Sequence, residues 1–492
     1  MIWASIVRSP HAHAVIKNID TSEAEKVDGV FAVMTGKDLP KLADSWIDHG
    51  EGTENVSWSS ENIMGTKKAL YKGHALAAVA AVDRYVADCA ASKVKVEYEV
   101  LESVTNVEDA TKENAPILLE DLVGDHIGKK VSNTNIASIT RHEFGDPDKA
   151  FKDAAHVVEK TFTLQMVHQG YIEPHNATAH WDEDDRIKVW TSTQGAFPVR
   201  TSTAAILDMD VSRIKVTPLE IGGGFGGKIP VYLEPVVSIL SKKSQRPVKA
   251  VMERSSVFQA SGPAPGGTIT VKMGTDKDAN IIAAETSIKL EAGGFPGAAV
   301  GAAVQCIFAP YDIPNTRIDG YDIVVNKPKS AAYRAPGSPQ AAFAAETVSD
   351  ELARLHNMDP IDFRLRNASK EDTRRADGVV FPKIGNIEVL EAAKASDHWN
   401  SELGTPPKGR VRGRGVASGY WFNVGLKSAV SLTVNNDGSV ALIEGSTDIG
   451  GTRTSISMQA AEILGIGVET VSYTHLRAHE TLRYLVCRLL LE

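Results

Sequence analysis

Cysteine is nearly missing from this chain: among 492 residues only Cys89, Cys306 and Cys487 carry thiols. Widely spaced and odd in number, they fit neither a disulfide framework nor the Cys-x-x-Cys pattern of a metal or iron–sulfur site, and they suit a reducing, cytoplasmic setting. Long apolar runs are missing as well. No stretch approaches the roughly 20 apolar residues that cross a bilayer, and residues 1–20 lack the basic start and continuous apolar core of a secretory leader, so neither a membrane partner nor an export signal is expected. Nor is there a dense Lys/Arg stripe. The 53 basic residues face 62 acidic ones, the net charge is -9 and the pI is near 5.9, so a nucleic-acid partner is not expected. No repeat of solenoid length recurs. What is present is bulk, with 42% hydrophobic and 23% charged residues over a length that suggests about three domains.

The coarse pattern is α+β throughout. Residues 1–110 read as a small domain, strand-like at 2–7 and 30–34, helical at 83–92, and alternating over 94–100. A polar stretch with Gly124 and Gly128 makes 111–135 a linker. From about His142 strands dominate, with hairpin signals at 182–186, 275–280 and 436–438. The clearest helix starts with Ser338 as the N-cap before Pro339 and carries Phe343, Val348, Leu352 and Leu355 on one face. Asp359-Pro360 starts another that runs to about Asn367. These belong to a second domain, 136–370, followed by a connection over 371–407. A third segment, 408–471, opens on a basic, glycine-rich stretch and leads through strands to a helix from Thr452 to Leu464. Residues 472–492 differ in composition from everything upstream and read as an artefactual tail. His475, His479 and Glu480 within it do not follow the His-Glu-x-x-His order of a zinc site.

The strongest local feature is Gly-Gly-Gly-Phe-Gly-Gly-Lys at 222–228, after a strand-like 214–221. As a P-loop it has Gly222, Gly227 and Lys228 in place. Ile229, however, stands where a hydroxyl must ligate Mg²⁺, and Pro230 and Pro235 disfavour an immediate helix. As a dinucleotide fingerprint it has Gly222, Gly224 and Gly227 but no surrounding βαβ unit. As a plain turn it would need nothing further. Five glycines around Phe225 would also let a backbone press against a flat ligand with its N–H groups aimed at oxygens, which is a cofactor loop. Residues 335–338 and 450–452 lead into helix starts and are two more clusters of amide donors.

Together with this loop, Ala332-Tyr-Arg-Ala-Pro-Gly-Ser-Pro-Gln340, Gln169-Gly-Tyr-Ile-Glu-Pro-His175, Thr191-Ser-Thr-Gln-Gly195 and Gly445-Ser-Thr-Asp-Ile-Gly-Gly-Thr-Arg-Thr454 resemble, in order, signatures of the molybdopterin-binding (large) subunit of the xanthine dehydrogenase/aldehyde oxidase family of molybdenum hydroxylases. Val7-Arg-Ser-Pro-His-Ala-His13 and Val33-Met-Thr-Gly-Lys-Asp-Leu39 resemble its α/β hammerhead domain, so the likeness spans 1–471. The resemblance implies a hammerhead followed by two elongated mixed α+β molybdopterin-binding domains, the second incomplete. It implies a molybdopterin in the cytosine dinucleotide form whose dithiolene holds molybdenum, with no protein ligand to the metal.

By the same resemblance Gln194 would hydrogen-bond a metal oxo group and Arg334 would sit near the metal ligands, both in catalytic roles. Gly223, Gly224, Phe225, Gly226, Gly227, Ala332, Arg334, Gln340, Gly451 and Thr452 would bind the cofactor. Glu173 and His175 look like an acid/base pair, but in the family their segment reads as structural, and His11 and His13 read as packing residues. The implied reaction is hydroxylation of a small molecule with water as oxygen donor. Its electrons would leave through two-iron two-sulfur and FAD subunits, in a cytoplasmic dimer of heterotrimers. The family's glutamate base falls beyond about Val471, so the chain is expected to be truncated at both ends and inactive by itself. Ile229 replaces the glutamate of purine-hydroxylating members, and Ala335-Pro336 stands where they carry a stacking phenylalanine. The Cys-bearing loop of carbon monoxide dehydrogenases is missing from 333–340. An aldehyde or N-heteroaromatic substrate is therefore expected; the alternative is a P-loop-like nucleotide-binding protein.

Overall fold

A computed structural model describes residues 1–48, 53–422 and 430–475. Two seven-stranded mixed sheets carry most of the mass. The first runs in the order Ile214–Pro218, Ile187–Thr191, Asn176–Trp181, Val248–Val251, Ile2–Arg8, Ala75–Ala81, Val30–Thr35. Its sixth strand, Ala75–Ala81, is buried at every position because helices cover both faces, and small residues suit a strand with no solvent side. Ala78 and Ala80 face a core shared with the helices Ala196–Ile206 and Glu234–Ser244, while Val79 faces the helix Arg84–Ala91. That helix is capped by Asp83, whose side chain accepts from Val86 N at 2.9 Å.

The second sheet is ordered Lys129–Val131, Gly124–His126, Ile136–Phe144, Thr316–Val324, Ile281–Gly293, Gly267–Thr275, His156–Leu164. The 13-residue strand Ile281–Gly293 pairs antiparallel with Gly267–Thr275 and parallel with Thr316–Val324. A smaller sheet joins Val430–Val434, Val440–Glu444 and Val471–His475, with the helix Thr452–Leu464 packed against it. The molecule is α+β, as its patterning implied.

Several segments pack differently from what the sequence suggested. Ile2–Arg8 pairs parallel with Val248–Val251, so residues 1–110 and 136–370 share one sheet. Residues 111–135 are not a bare linker: Gly124–His126 and Lys129–Val131 extend the second sheet, and Leu118 and Leu122 are buried beside Phe295 and Ile323. Strands this short carry too few residues to show a period. Ser338 is not the N-cap. Gly337 holds that place at φ +83°, and the Ser338 hydroxyl donates to Tyr420 O at 2.6 Å. The helix Ser338–Leu355 buries Ala341, Ala344, Ala345, Val348 and Leu352, leaving Phe343 53% and Leu355 48% exposed. Alanines let the helix lie close on the sheet beside Val348 and Leu352, and Phe343 and Leu355 fall at its flanks. Residues 472–475 continue a strand paired parallel with 441–444, and His479 and Glu480 lie outside the described residues. Among the described residues no helix is long and apolar enough to cross a membrane.

Candidate functional site

The glycine loop leaves the strand Ile214–Pro218 and is closed by a single carboxylate. Glu173 Oε2 accepts from Gly222 N at 2.7 Å and from the Lys228 ammonium at 2.7 Å, so one oxygen ties both ends of the heptad. Glu173 Oε1 accepts from Asn176 Nδ2 at 3.1 Å. The Lys228 side chain is fully buried and its ammonium lies over the Tyr171 ring, 5.0 Å from the centroid. Burial pushes the Lys228 pKa down, and the bond to Glu173 opposes the shift. A P-loop lysine must reach phosphates; this one is spent inside the protein, and the next helix begins only at Glu234.

Gln194 holds the loop from the other side. Its Oε1 accepts from Gly226 N at 2.7 Å and Lys228 N at 3.3 Å, and its own N–H donates to Lys228 O at 3.1 Å. With the acceptor end engaged, the amide NH₂ is the end left for a ligand, and it can only donate. The glycines answer to protein neighbours as much as to any flat ligand. A Cβ on Gly226, at φ +104°, would fall 2.4 Å from Ala332 O, and one on Gly224 would fall 2.4 Å from Gln194 Oε1.

Residues 332–338 cross the loop here. Arg334 N donates to Phe225 O at 2.9 Å, and Ala332 O accepts from Gln169 Nε2 at 2.7 Å. Phe225 at φ +52°, Arg334 at +26° and Ala335 at +59° are non-glycine residues in the left-handed region, a strain that clusters at functional loops. The Arg334 side chain is exposed and meets no hydrogen-bonding or ionic partner among the described residues. Gln340 is set back, its amide donating to Pro265 O at 3.2 Å.

The third segment docks on the same place. Thr447 Oγ1 donates to Gln194 O at 3.0 Å, and Arg453 pairs with Glu220 at 3.3 Å and Asp448 at 3.4 Å. Gly450 and Gly451 stand in open space at the start of the helix Thr452–Leu464, while the Thr452 hydroxyl donates to Ile449 O at 2.7 Å.

Beneath the loop lies a closed polar chain. The Tyr171 hydroxyl is 2.5 Å from His175 Nε2 and 3.1 Å from Ser261 Oγ, which in turn donates to Val257 O at 2.6 Å. His168 Nδ1 accepts from Gly170 N at 3.0 Å, which puts the neutral ring's proton on Nε2, 2.9 Å from Ser261 Oγ. Burial, aided by Lys228, holds His175 well below the usual imidazole range, and burial with Arg254 nearby takes His168 down to about 4. Both rings are neutral packing elements, and with His175 on Tyr171 and Glu173 on Lys228, Glu173 and His175 do not bond to each other as an acid/base pair.

The structure thus brings Gln194, Phe225, Gly226 and Arg334 together, adds 445–454 through Thr447, and leaves Gln340 behind. Gln169, Lys228 paired with Glu173, and Thr447 have positioning roles that sequence reasoning missed. Gln169 bridges Gly262 O and Ala332 O, 93 and 163 residues away in sequence, and no local pattern reports such a bond. What faces outward is a set of donors: the Gln194 amide, the Arg334 guanidinium and the amides around Gly450. The carboxylates beside them are paired, Glu173 with Lys228, and Glu220 and Asp448 with Arg453. Such a set fits an anionic, oxygen-rich group and not a cation. Among the described residues no three His, Cys, Asp or Glu side chains are placed to hold a metal ion.

An α+β scaffold presenting these donors is a cofactor-binding one. Residues 128–368 and 388–482 match the molybdopterin cofactor-binding domain, and residues 1–102 match the aldehyde oxidase and xanthine dehydrogenase a/b hammerhead domain. The chain belongs to the xanthine dehydrogenase family of molybdenum hydroxylases, among its molybdopterin-binding large subunits. It is 31% identical over 399 residues to the nicotinate dehydrogenase large molybdopterin subunit of Eubacterium barkeri, covering 80% of this chain and 89% of that protein. It is 29% identical over 489 residues to the xanthine dehydrogenase molybdenum-binding subunit of Escherichia coli O157:H7, covering 96% of this chain and 63% of that one. Its fold is similar to that of quinoline 2-oxidoreductase from Pseudomonas putida 86, with TM-score 0.81 and 23% identity over 98% of this chain and 63% of that chain. It is equally similar to the aldehyde oxidoreductase of Desulfovibrio gigas, with TM-score 0.83 and 22% identity over 98% and 53%. The chain spans less than two thirds of the length of its xanthine dehydrogenase relative.

Proposed function

We propose that this chain holds the molybdenum cofactor of a hydroxylase that adds oxygen from water to an electron-poor carbon of an N-heteroaromatic ring or an aldehyde. The observation that carries the reading is the convergence of Gln194, Phe225, Gly226 and Arg334, with the Gln194 carbonyl and the Glu173 carboxylate both engaged by the loop so that donors are left for a ligand. The likeness to a nicotinate dehydrogenase subunit supports the heteroaromatic class. Ile229 and Pro336, which offer neither a carboxylate nor an aromatic face, argue against a purine.

When bound, molybdopterin in its cytosine dinucleotide form would supply the two-electron redox centre, with molybdenum held by the pterin and not by the protein. The chain's own groups bind and orient. The Gln194 NH₂ donates to an anionic oxygen of the cofactor, fixed in that direction because Gly226 and Lys228 occupy its carbonyl. Arg334 lies beside Phe225 and balances negative charge that develops on a substrate oxygen or nitrogen. The Phe225 ring, 45% exposed, is an apolar wall that keeps water from the reacting carbon. Glu173 is not the base, since both of its oxygens are taken. Iron–sulfur and FAD subunits would receive the electrons, in a cytoplasmic dimer of heterotrimers.

The test is elemental analysis and pterin fluorescence on protein produced in a host that makes the cofactor. Molybdenum, pterin and cytidine monophosphate released in equal amounts are expected, with all three reduced by Gln194→Ala. Protein free of molybdenum and pterin but stabilised by ATP would overturn the reading in favour of nucleotide binding, which the burial of Lys228 already disfavours.

A further inference from the structure

Away from the cofactor loops, a cavity of about 440 Å³ opens where two strands part. Ile2–Arg8 pairs with Val248–Val251 only over Ile2–Ala4, and beyond Ala4 the two diverge. Ile2 N donates to Pro247 O at 2.8 Å, so by strand alternation the peptide groups of Ala4 and Ile6 turn to the same side, and that of Ile6 meets the gap. The walls combine Ile6, Val7 and Met252 with Ser5 and Ser256, with Arg8 at the inner end and Arg84, Asp88 and Glu253 at the rim.

Arg8 is the unusual member. Its Nη1 donates to Gly73 O at 3.0 Å, and among the described residues no carboxylate is close enough to act on its charge. Its ionisable neighbours are Tyr71, His74 and His175, and all three are neutral: burial raises the phenol above its ordinary range and lowers both imidazoles. The rim carboxylates are engaged by Arg84, with Glu253 at 3.0 Å and Asp88 at 3.7 Å. Arg8 is half-buried, burial drops its pKa to about 10, and a cation drawn partly out of water without a counterion is costly unless something supplies one.

We propose that this fork is a binding site for a small monocarboxylate, which pairs with the Arg8 guanidinium and lies along the open strand edge between Ile6 and Met252. A guanidinium fork matches a carboxylate in two parallel hydrogen bonds. The apolar part of the wall suits an aromatic or branched body, which inorganic phosphate lacks. The site is separate from the cofactor loops and holds whether or not the hydroxylase reading does.

Calorimetric titration of the full chain with benzoate tests it, with inorganic phosphate and chloride as comparison anions. Saturable benzoate binding is expected, stronger than that of either comparison anion. Arg8→Gln should weaken it by about tenfold or more. Ser256→Trp, which fills the cavity and leaves Arg8 in place, should abolish binding even if Arg8→Gln fails to fold. Arg334→Gln should leave it unchanged. No saturable benzoate binding, equal binding by Ser256→Trp, or loss of binding in Arg334→Gln would each overturn the proposal.

Discussion

Glu173 is where a single side chain matters most. Its partner ammonium has no water to fall back on, so Glu173→Ala should cost about 3 kcal/mol, as expected for an orphaned buried charge. Adding Lys228→Met should recover most of that loss. Chemical denaturation of the three variants checks this, and equal stability of the single variant and the parent would exclude the clamp. The buried imidazoles make a second residue-scale prediction. His74 and His168 are held near 4, and burial with Lys228 nearby keeps His175 well below the usual imidazole range, against 6.5 for a free imidazole. Between these values the unfolded chain binds more protons than the folded one, so stability is fully present above about pH 6.5 and is lost as pH falls toward 4. Melting temperatures measured across that window should decline steadily, and His168→Gln should decline less steeply. Parallel curves for variant and parent would contradict the assignment to His168.

At the scale of elements, the glycine loop and the 332–338 segment form one crossing, held by Arg334 N on Phe225 O and by the close approach of Gly226 to Ala332. Gly226→Ala should displace the crossing and lower pterin retention. Gly450→Ala, which meets open space at φ +63°, should cost only about 1 kcal/mol of backbone strain. Pterin content and thermal stability of the two variants separate these outcomes; equal effects would mean the crossing tolerates a methyl group. Element positions were well marked in the sequence. Asp359-Pro360 starts the helix Pro360–Asn367, with Asp359 accepting from Ile361 N, and the three hairpins turn where their Asp, Asn and Gly residues fall. Which face of a helix is buried was less legible. Alanine is read as neutral in a hydrophobic pattern, yet in the helix Ser338–Leu355 it marks the contact, because closeness and not side-chain size decided the packing.

The whole molecule is held by bonds between parts far apart in sequence. Glu346, buried in the helix Ser338–Leu355, accepts from Arg364 Nε at 2.7 Å and Ser418 N at 2.6 Å, and so fastens the segment that leads to the third part. Arg364 also meets Asp350 at 2.9 Å. Glu346→Ala should release residues 416–422 and speed tryptic cleavage at Arg410, Arg412 or Arg414. Time-resolved proteolysis reads this out, and cleavage at the parental rate would show that Glu346 does not fasten the segment.

By itself the sequence determined the α+β class and the family, because glycine runs, caps and turn residues act through local backbone geometry. Only the tertiary structure decided that residues 1–110 complete a sheet with 176–251, that Lys228 turns inward to Glu173, and that Arg8 is left without an anion. Each of these depends on a long-range contact or on exclusion from water, and neither leaves a periodic trace in the chain.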